Sequence, residues 1–334
     1  MNATIKDIAA DTGLSLATIS KYLNNKPVRP ENSSLIAASI EKLNYVPNIT
    51  ARSLRSARSH IIGAITPTLN NNFWGTVLGY LEEELRQNGY SVIFCSHQQS
   101  DEKYSETVRA LLDKQIDGAI LIPYSQTDSK LVQSLSSKIP CLSLDHILAN
   151  VEMDAVTSAN YEGGYQAIRY LIEHGHRQIG ILAGPPENYT ASQRTAGALD
   201  ALRDANIPIA KDLIAYTKEF TPQEGKRAFR NIMAASVLPT ALFPVNYDMC
   251  LGAVIEINAN DYEIPEDFSI IGFDDDIIFS SMNPTITVIK QNVKEMGRQA
   301  ARLLLRRIEG DSSGYPELIK IPTTLIERES VKQL

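Results

Sequence analysis

The sequence predicts an all-α headpiece followed by an α/β body of two similar parallel-sheet lobes. Three observations predict it. The first sixty residues carry only short amphipathic helical patterns bounded by turn formers. From Ile61 short apolar runs alternate with amphipathic helical stretches, the pattern of a parallel sheet covered by helices on both faces. After Val156 that series repeats at similar length, which implies a second lobe. At 334 residues the chain also exceeds what one core holds and suggests two or three domains.

In the head, Thr4 followed by Asp7 forms a start like a capping box, and Ile5, Ile8 and Ala9 then share one helical face. Gly13 ends this helix. Ser15 caps the next, whose apolar face is Ile19, Tyr22 and Leu23, and Asn24-Asn25-Lys26-Pro27 stops it. A third helix begins near Pro30, carries Ile36, Ile40 and Leu43, and is broken by Pro47. The segment 48–58 has helix-forming composition with little apolar face, so it is marginal alone.

In the body, IIGAIT precedes a helix over 73–88, SVIFC one over 101–115, and GAILIP one over 127–137, with CLSLD closing the series. The second series places helices over 160–174, 190–205, 222–235 and 246–258 among IGILAG, LIAYT, TALFPV and SIIGFDD. Open parallel sheets bind ligands beyond the carboxyl ends of their strands, here in a cleft between lobes.

Charge separates the two parts. Residues 1–60 hold eight Lys/Arg and four Asp/Glu, a net of +4, which leaves −11 for the remainder against −7 overall. A basic head on an acidic body concentrates attraction for phosphate at one end. No run is long enough to span a bilayer, and the N-terminus has charges where a signal peptide needs an apolar stretch, so a cytoplasmic, non-membrane protein is expected. Cys95, Cys141 and Cys250 lie far apart in apolar stretches and read as reduced core residues.

Two short helices meeting at Gly13-Leu14-Ser15 have helix-turn-helix spacing, with Ala9 small at the crossing and Ile8, Ile19 and Leu23 as a core seed. A plain three-helix domain has the same spacing. Local positive charge and the outward Ser15, Leu16, Ala17 and Lys21 favour DNA over that alternative.

TIKDIAADTGLSLATISKYLNN and LIAASIEKLNYVPNITARSLRS resemble the headpiece and hinge of the lactose/galactose repressor family, and the similarity continues nearly to the C-terminus. The resemblance implies a helix-turn-helix headpiece at 1–46, a hinge helix and linker at 47–60, and a two-lobed, periplasmic-binding-protein-like effector and dimerisation domain at 61–334. It places Leu16, Ala17 and Lys21 at base edges in the major groove. Lys21 suits guanine O6/N7, while Leu16 and Ala17 suit a thymine methyl. Lys21 stands where the family usually has arginine, which loosens the geometry. Thr4, Ser15, Thr18, Ser20 and Asn24 are placed at the DNA, the latter four holding phosphates and register. Arg29 replaces the family's hydroxyl-bearing cap and is either a phosphate contact or a solvated charge. Asn48, Ala51, Arg52, Leu54 and Arg55 fall in the hinge, which in the family orders on DNA, with Leu54 as a minor-groove wedge.

For the cleft, Phe73-Trp74 stands where the family presents a stacking aromatic, although an aromatic near a helix start is otherwise more often core. Arg194 matches the family arginine that contacts effector oxygens. Phe220, Asn246, Asp274 and Gln291 match further cleft positions, and Asp145 ends a strand there. Tyr247 stands where the family commonly has Asp. Together these residues describe a sugar-like or nucleobase-like site.

Asp274-Asp275-Asp276 reads poorly as a metal cluster, because consecutive residues point apart. The five histidines have no zinc or catalytic spacing, with His174 and His176 expected in an exposed turn. There is no P-loop, nucleophile elbow or dinucleotide fingerprint, so neither enzyme nor cofactor is expected. The function expected is a repressor that binds palindromic double-stranded operator DNA as a homodimer under control of a small sugar-like effector. A chain ending soon after TTLIERES, without leucine heptads, favours a dimer over a tetramer. The alternatives are a transport-type solute-binding protein, which residues 1–60 do not suit, and a sugar-processing enzyme, which would turn its ligand over.

Overall fold

The computed structural model describes residues 3–23, 26–45, 58–98, 100–123, 129–148 and 150–334. Asn24, Asn48, Ala51, Arg52, Leu54 and Arg55 lie outside the described residues. The chain forms two compact units, Met1–Ser59 and His60–Leu334.

The head is built from α1 (Ile5–Thr12), α2 (Leu16–Leu23) and α3 (Pro30–Lys42). Thr4 and Asp7 close the start of α1: the Thr4 backbone N–H and hydroxyl both donate to Asp7 Oδ2, at 2.7 and 2.8 Å. These bonds hold the Asp7 carboxyl below its ordinary pKa. Gly13 ends α1 in the left-handed region at φ +66°, where a Cβ would be strained, and its N–H donates to the Ala9 carbonyl. Ser15 caps α2 by accepting the Thr18 N–H at 3.2 Å. Arg29 holds the N-cap position of α3 with no side-chain cap bond, since a guanidinium has no acceptor, and Pro30 supplies the first turn. Ile8, Ile19 and Ile36, one from each helix, are fully buried. Leu23, expected at this centre, is half-buried at its edge, and Ile36 takes its place.

The body begins with β1 (Ile61–Thr66), α4 (Asn72–Gln87), β2 (Ser91–Ser96), α5 (Asp101–Asp113), β3 (Gly118–Leu121), α6 (Ser129–Ser136), β4 (Cys141–Leu144) and β5 (Asp154–Ser158). The chain then crosses to the second lobe: α7 (Asn160–Glu173), β6 (Ile179–Gly184), α8 (Tyr189–Asp204), β7 (Ile214–Tyr216), α9 (Pro222–Met233), β8 (Ala241–Pro244), α10 (Tyr247–Ala259), β9 (Ser269–Phe273), α11 (Ile277–Ser281) and β10 (Thr287–Gln291). It returns to the first lobe as α12 (Val293–Ile308) and β11 (Leu318–Ile321), and ends in the second with β12 (Thr323–Ile326).

The sheets run β11-β5-β4-β3-β1-β2 and β12-β10-β9-β8-β6-β7. Their strand pairs are parallel apart from β10–β12, which is antiparallel. Central strands such as IGILAG and SIIGF are buried along their length, as strands covered on both faces must be. The lobes are therefore not two consecutive halves: the chain passes between them after Ser158, after Gln291 and after Ile321. On its return α12 packs along α4. Near its end Arg307 Nε and Nη2 donate to the two carboxylate oxygens of Asp154 on β5, at 2.7 and 3.1 Å, with both side chains buried.

Helices α7 and α8 approach until their backbones touch. A Cβ at Gly164 would collide with the Arg194 carbonyl, and one at Gly197 with the Tyr161 carbonyl. This fixes the depth at which α8 presents Arg194. Among the cysteines Cys141 and Cys250 are buried, whereas Cys95 is only half-buried; all three are free. The expected exposed turn holding His174 and His176 is corrected. His174 is half-buried and His176 fully buried, its Nδ1 2.8 Å from Thr240 Oγ1, because the C-terminal Leu334 N–H closes on the His174 carbonyl over that turn.

Candidate functional site

Within the body the strand ends of both lobes open into one cleft of about 440 Å³. Thr68, Ile122 and Asp145 follow β1, β3 and β4, while Phe220, Asn246 and Asp274 follow β7, β8 and β9. All eight residues expected at the cleft line it: Phe73, Trp74, Asp145, Arg194, Phe220, Asn246, Asp274 and Gln291.

Asn71 caps α4 by accepting the Phe73 and Trp74 N–H groups at 2.9 and 3.4 Å, which sets both rings at the cleft wall. The rings meet edge to face, centroids 4.8 Å apart, and rest partly on the first lobe's core. Trp74 is therefore both core and wall. Phe220 packs over Gly184, where a Cβ would come within 2.5 Å of its ring.

Arg194 is the buried charge of the site, only 3% exposed. Its Nε donates to Asn160 Oδ1 and its Nη1 to the Val245 carbonyl, both at 2.8 Å, and Phe273 lies against the guanidinium. The Nη2 group donates to no protein acceptor among the described residues. Burial lowers the Arg194 pKa, opposed by the charges of Asp274 and Asp145. Asp145, 6% exposed, is pushed up to about 7 by burial against the pull of Arg194, and Asp274 adds to the rise. Its Oδ1 is buried without a hydrogen-bond partner. Beside it burial depresses His146 to about 4. Asp248 rises to about 6 through burial and then through Asp274.

Gln291 ties the second crossover to the first. Its Nε2 donates to Asp274 Oδ1 at 2.5 Å, and its Oε1 accepts from Ser158 Oγ. Asn246 has a structural task as well, since its Oδ1 caps α10 by accepting the Asp248 and Met249 N–H groups. The three consecutive aspartates face different partners. Asp274 meets Gln291; Asp275 meets Lys290 and Arg328; Asp276 caps α11 and accepts from Asn72 Nδ2 across the cleft at 2.7 Å. Among the described residues no cluster of His, Cys, Asp and Glu suits a metal ion, and no helix is long and apolar enough to cross a membrane.

Asn160, Phe273 and the Val245 carbonyl, which hold Arg194, were not expected from sequence, nor were the cleft residues His146 and Asp248. Asn71, two residues before Phe73, was a legible cap signal; no local pattern marks Asn160 as Arg194's partner. In the head Thr4, Ser15, Leu16, Ala17, Lys21 and Arg29 are exposed, and Thr18 and Ser20 are half-buried. Leu16 is 46% exposed, a large apolar side chain on the outer face of a small domain.

Comparison with known proteins agrees with this architecture. The family model for bacterial regulatory proteins of the lacI family matches residues 4–48, and that for a periplasmic binding protein-like domain matches 168–331. The HTH-type transcriptional repressor PurR of Pasteurella multocida (strain Pm70) is 34% identical over 333 residues, 99% of each chain. Among solved structures, the transcriptional regulator CelR–cellobiose complex has a TM-score of 0.76 at 26% identity, over 98% of this chain and 99% of that one. The Lac repressor dimer bound to operator and the anti-inducer ONPF shares the fold with a TM-score of 0.88 at 24% identity, over 99% and 100%.

A helix-turn-helix head and a body of two periplasmic-binding-protein-like lobes define a DNA-binding transcriptional regulator rather than an enzyme. The chain belongs to the lacI family of bacterial regulatory proteins, at the level of its helix-turn-helix repressors.

Proposed function

We propose that this protein represses transcription as a homodimer on a palindromic operator and is switched by a small sugar-like effector in the cleft. One observation carries the effector reading: aromatic walls from Phe73, Trp74 and Phe220 converge with the polar groups of Arg194, Asp145, Asp274 and Gln291 on a single cleft between two lobes. Aromatic faces with a few fixed donors and acceptors suit vicinal hydroxyls on an apolar ring. The cellobiose bound by CelR supports the same ligand class. Gln291 and Ser158 stand at two lobe crossovers and bond to each other. A ligand that favours one lobe arrangement thereby acts on these crossovers, and its differential affinity for the two arrangements sets the DNA-competent fraction.

In this reading 1–46 is the headpiece, 47–60 the hinge and 61–334 the effector and dimerisation domain. Leu16, Ala17 and Lys21 read bases, while Thr4, Ser15, Thr18, Ser20, Asn24 and Arg29 hold the backbone. Asn48, Ala51, Arg52, Leu54 and Arg55 order in the minor groove, and the protein works in the compartment that holds the DNA. The full chain, offered a random duplex pool, should enrich a palindrome. One compound from a panel of free sugars should then saturably shift Trp74 emission and change affinity for that duplex. A pool with no enriched sequence refutes the DNA role. A chain starting at Ile61 that keeps ligand affinity but loses DNA affinity separates the regulator from a transport-type binding protein.

A further inference from the structure

Taking the cleft as the effector site, we propose that it selects the free, uncharged form of its polyhydroxyl ligand and rejects the phosphorylated form. Seven carboxylate side chains line the cleft against three basic ones. Of the basic groups, Lys290 is paired with Asp275 at 2.9 Å, and Lys218 stands next to Glu219. The charges of Asp274 and Asp145 act on Arg194.

A phosphate has a second route into such a site, the free N–H groups of helix N-termini. Here those routes are partly occupied. Asn71, Asn188, Asn246 and Asp276 begin four helices at the cleft, and each places its own side-chain oxygen on first-turn N–H groups. An entering phosphate would compete with these caps and sit among seven carboxylate side chains.

What Asp145 lacks is a donor. Asp145 is 94% buried within its lining, and its Oδ1 has no hydrogen-bond partner. A ligand hydroxyl at that point supplies the donor and an ionised phosphate in its place does not, while Arg194 Nη2 remains to donate to a second hydroxyl. A regulator built this way answers to a sugar before phosphoryl transfer and is blind to the product.

The test uses the full chain, in which Trp74 is the one tryptophan and stands on the cleft wall. At fixed ionic strength caesium should quench Trp74 at least about twofold better than iodide, each normalised to a free tryptophan analogue, because the local field concentrates cations. Asp248→Asn, and separately Glu187→Gln with Glu219→Gln, should bring that ratio towards one. Iodide quenching equal to or above caesium overturns the proposal. So does a ratio indifferent to both variants, which would trace it to the protein's overall charge.

Paired titrations of free monosaccharides and disaccharides with their monophosphates give the second arm. For any free sugar that binds, the monophosphate should bind about 100-fold more weakly. Equal or tighter binding of the monophosphate overturns this selectivity while leaving an effector-controlled repressor intact. A response to no sugar of either kind, with the caesium preference present, instead refutes the sugar-effector reading and retains the field that excludes anions.

Discussion

The guanidinium carbon of Arg194 lies 3.6 Å from the ring centroid of Phe273, a fully buried residue at the end of β9. The ring takes the place of water on that side of the cation, so its charge is answered by Asp145 and Asp274 and its geometry by Asn160 and the Val245 carbonyl. A planar fork pinned by one aromatic face and two acceptors is pre-organised to donate in a fixed direction.

Arg194→Lys keeps the charge and removes the fork. Ligand affinity should fall at least about tenfold, since one directed hydrogen bond to a charged donor contributes roughly 1.5–3 kcal/mol. Calorimetric titration of the variant with the compound that shifts Trp74 emission checks this. Unchanged affinity would place the ligand away from Arg194.

Asp145 and His146 contribute to the pH dependence of the unliganded body in opposite senses. Asp145 has a folded pKa of about 7 against an ordinary 3.8, so between these values the folded chain keeps a proton that the unfolded chain has released. Its stabilisation is complete below about pH 3.8 and is lost as pH rises through 7. His146 acts in the opposite sense. Its value is depressed from 6.5 to about 4, so its contribution is complete above 6.5 and is lost as pH falls through 4. The two oppose each other between about pH 4 and 6.5, while Asp248, raised to about 6, acts in the same sense as Asp145. Asp145→Asn removes the first alone. The variant's stability advantage over wild type should grow between pH 5 and pH 8, by at most about 3 kcal/mol. Denaturant melts at the two pH values measure it, and a constant difference would contradict the burial argument.

Ile19→Ala removes one of three fully buried isoleucines from a head with little else at its centre. A cost of about 2–5 kcal/mol is a large part of what so small a domain holds. The variant should lose DNA affinity and the head's helical signal, while ligand binding and the body's melting temperature stay as in wild type.

Arg307→Ala leaves Asp154 buried without its bidentate partner, with only the Glu317 N–H among the described residues still donating to it. Breaking a buried pair on one side costs about 3–5 kcal/mol. The expected result is a lower melting temperature for the body. A drop below about 1 kcal/mol would mean that water reaches Asp154.

Two substitutions separate reading from docking in the DNA-binding part. Lys21→Ala should lower discrimination between operator variants by about 1–3 kcal/mol at one position, whereas uniform weakening on all DNA would make Lys21 a phosphate contact. Leu54→Ala should weaken operator binding and spare ligand binding, and unchanged operator affinity would refute a wedge.

Local signals in the sequence determined the elements and much of the cleft. Thr4, Gly13, Ser15 and Pro30 mark helix ends through backbone chemistry that acts within four residues, and the structure places them there. The apolar runs from IIGAIT to SIIGFDD give the strands, and the residues that follow them fall at the cleft because parallel strands share one carboxyl end. Tertiary structure alone decided that α12 and β11 return to the first lobe, that Asn160 and Phe273 serve Arg194, and that His176 is buried beneath the C-terminus. Asn160 and Arg194 are joined by two helices packed backbone to backbone at Gly164 and Gly197. Asp154 and Arg307 meet only because the chain crosses between lobes and comes back. Periodicity reports which face of an element is buried; it carries no record of the partner that buries it, which is set by packing between segments far apart in the chain.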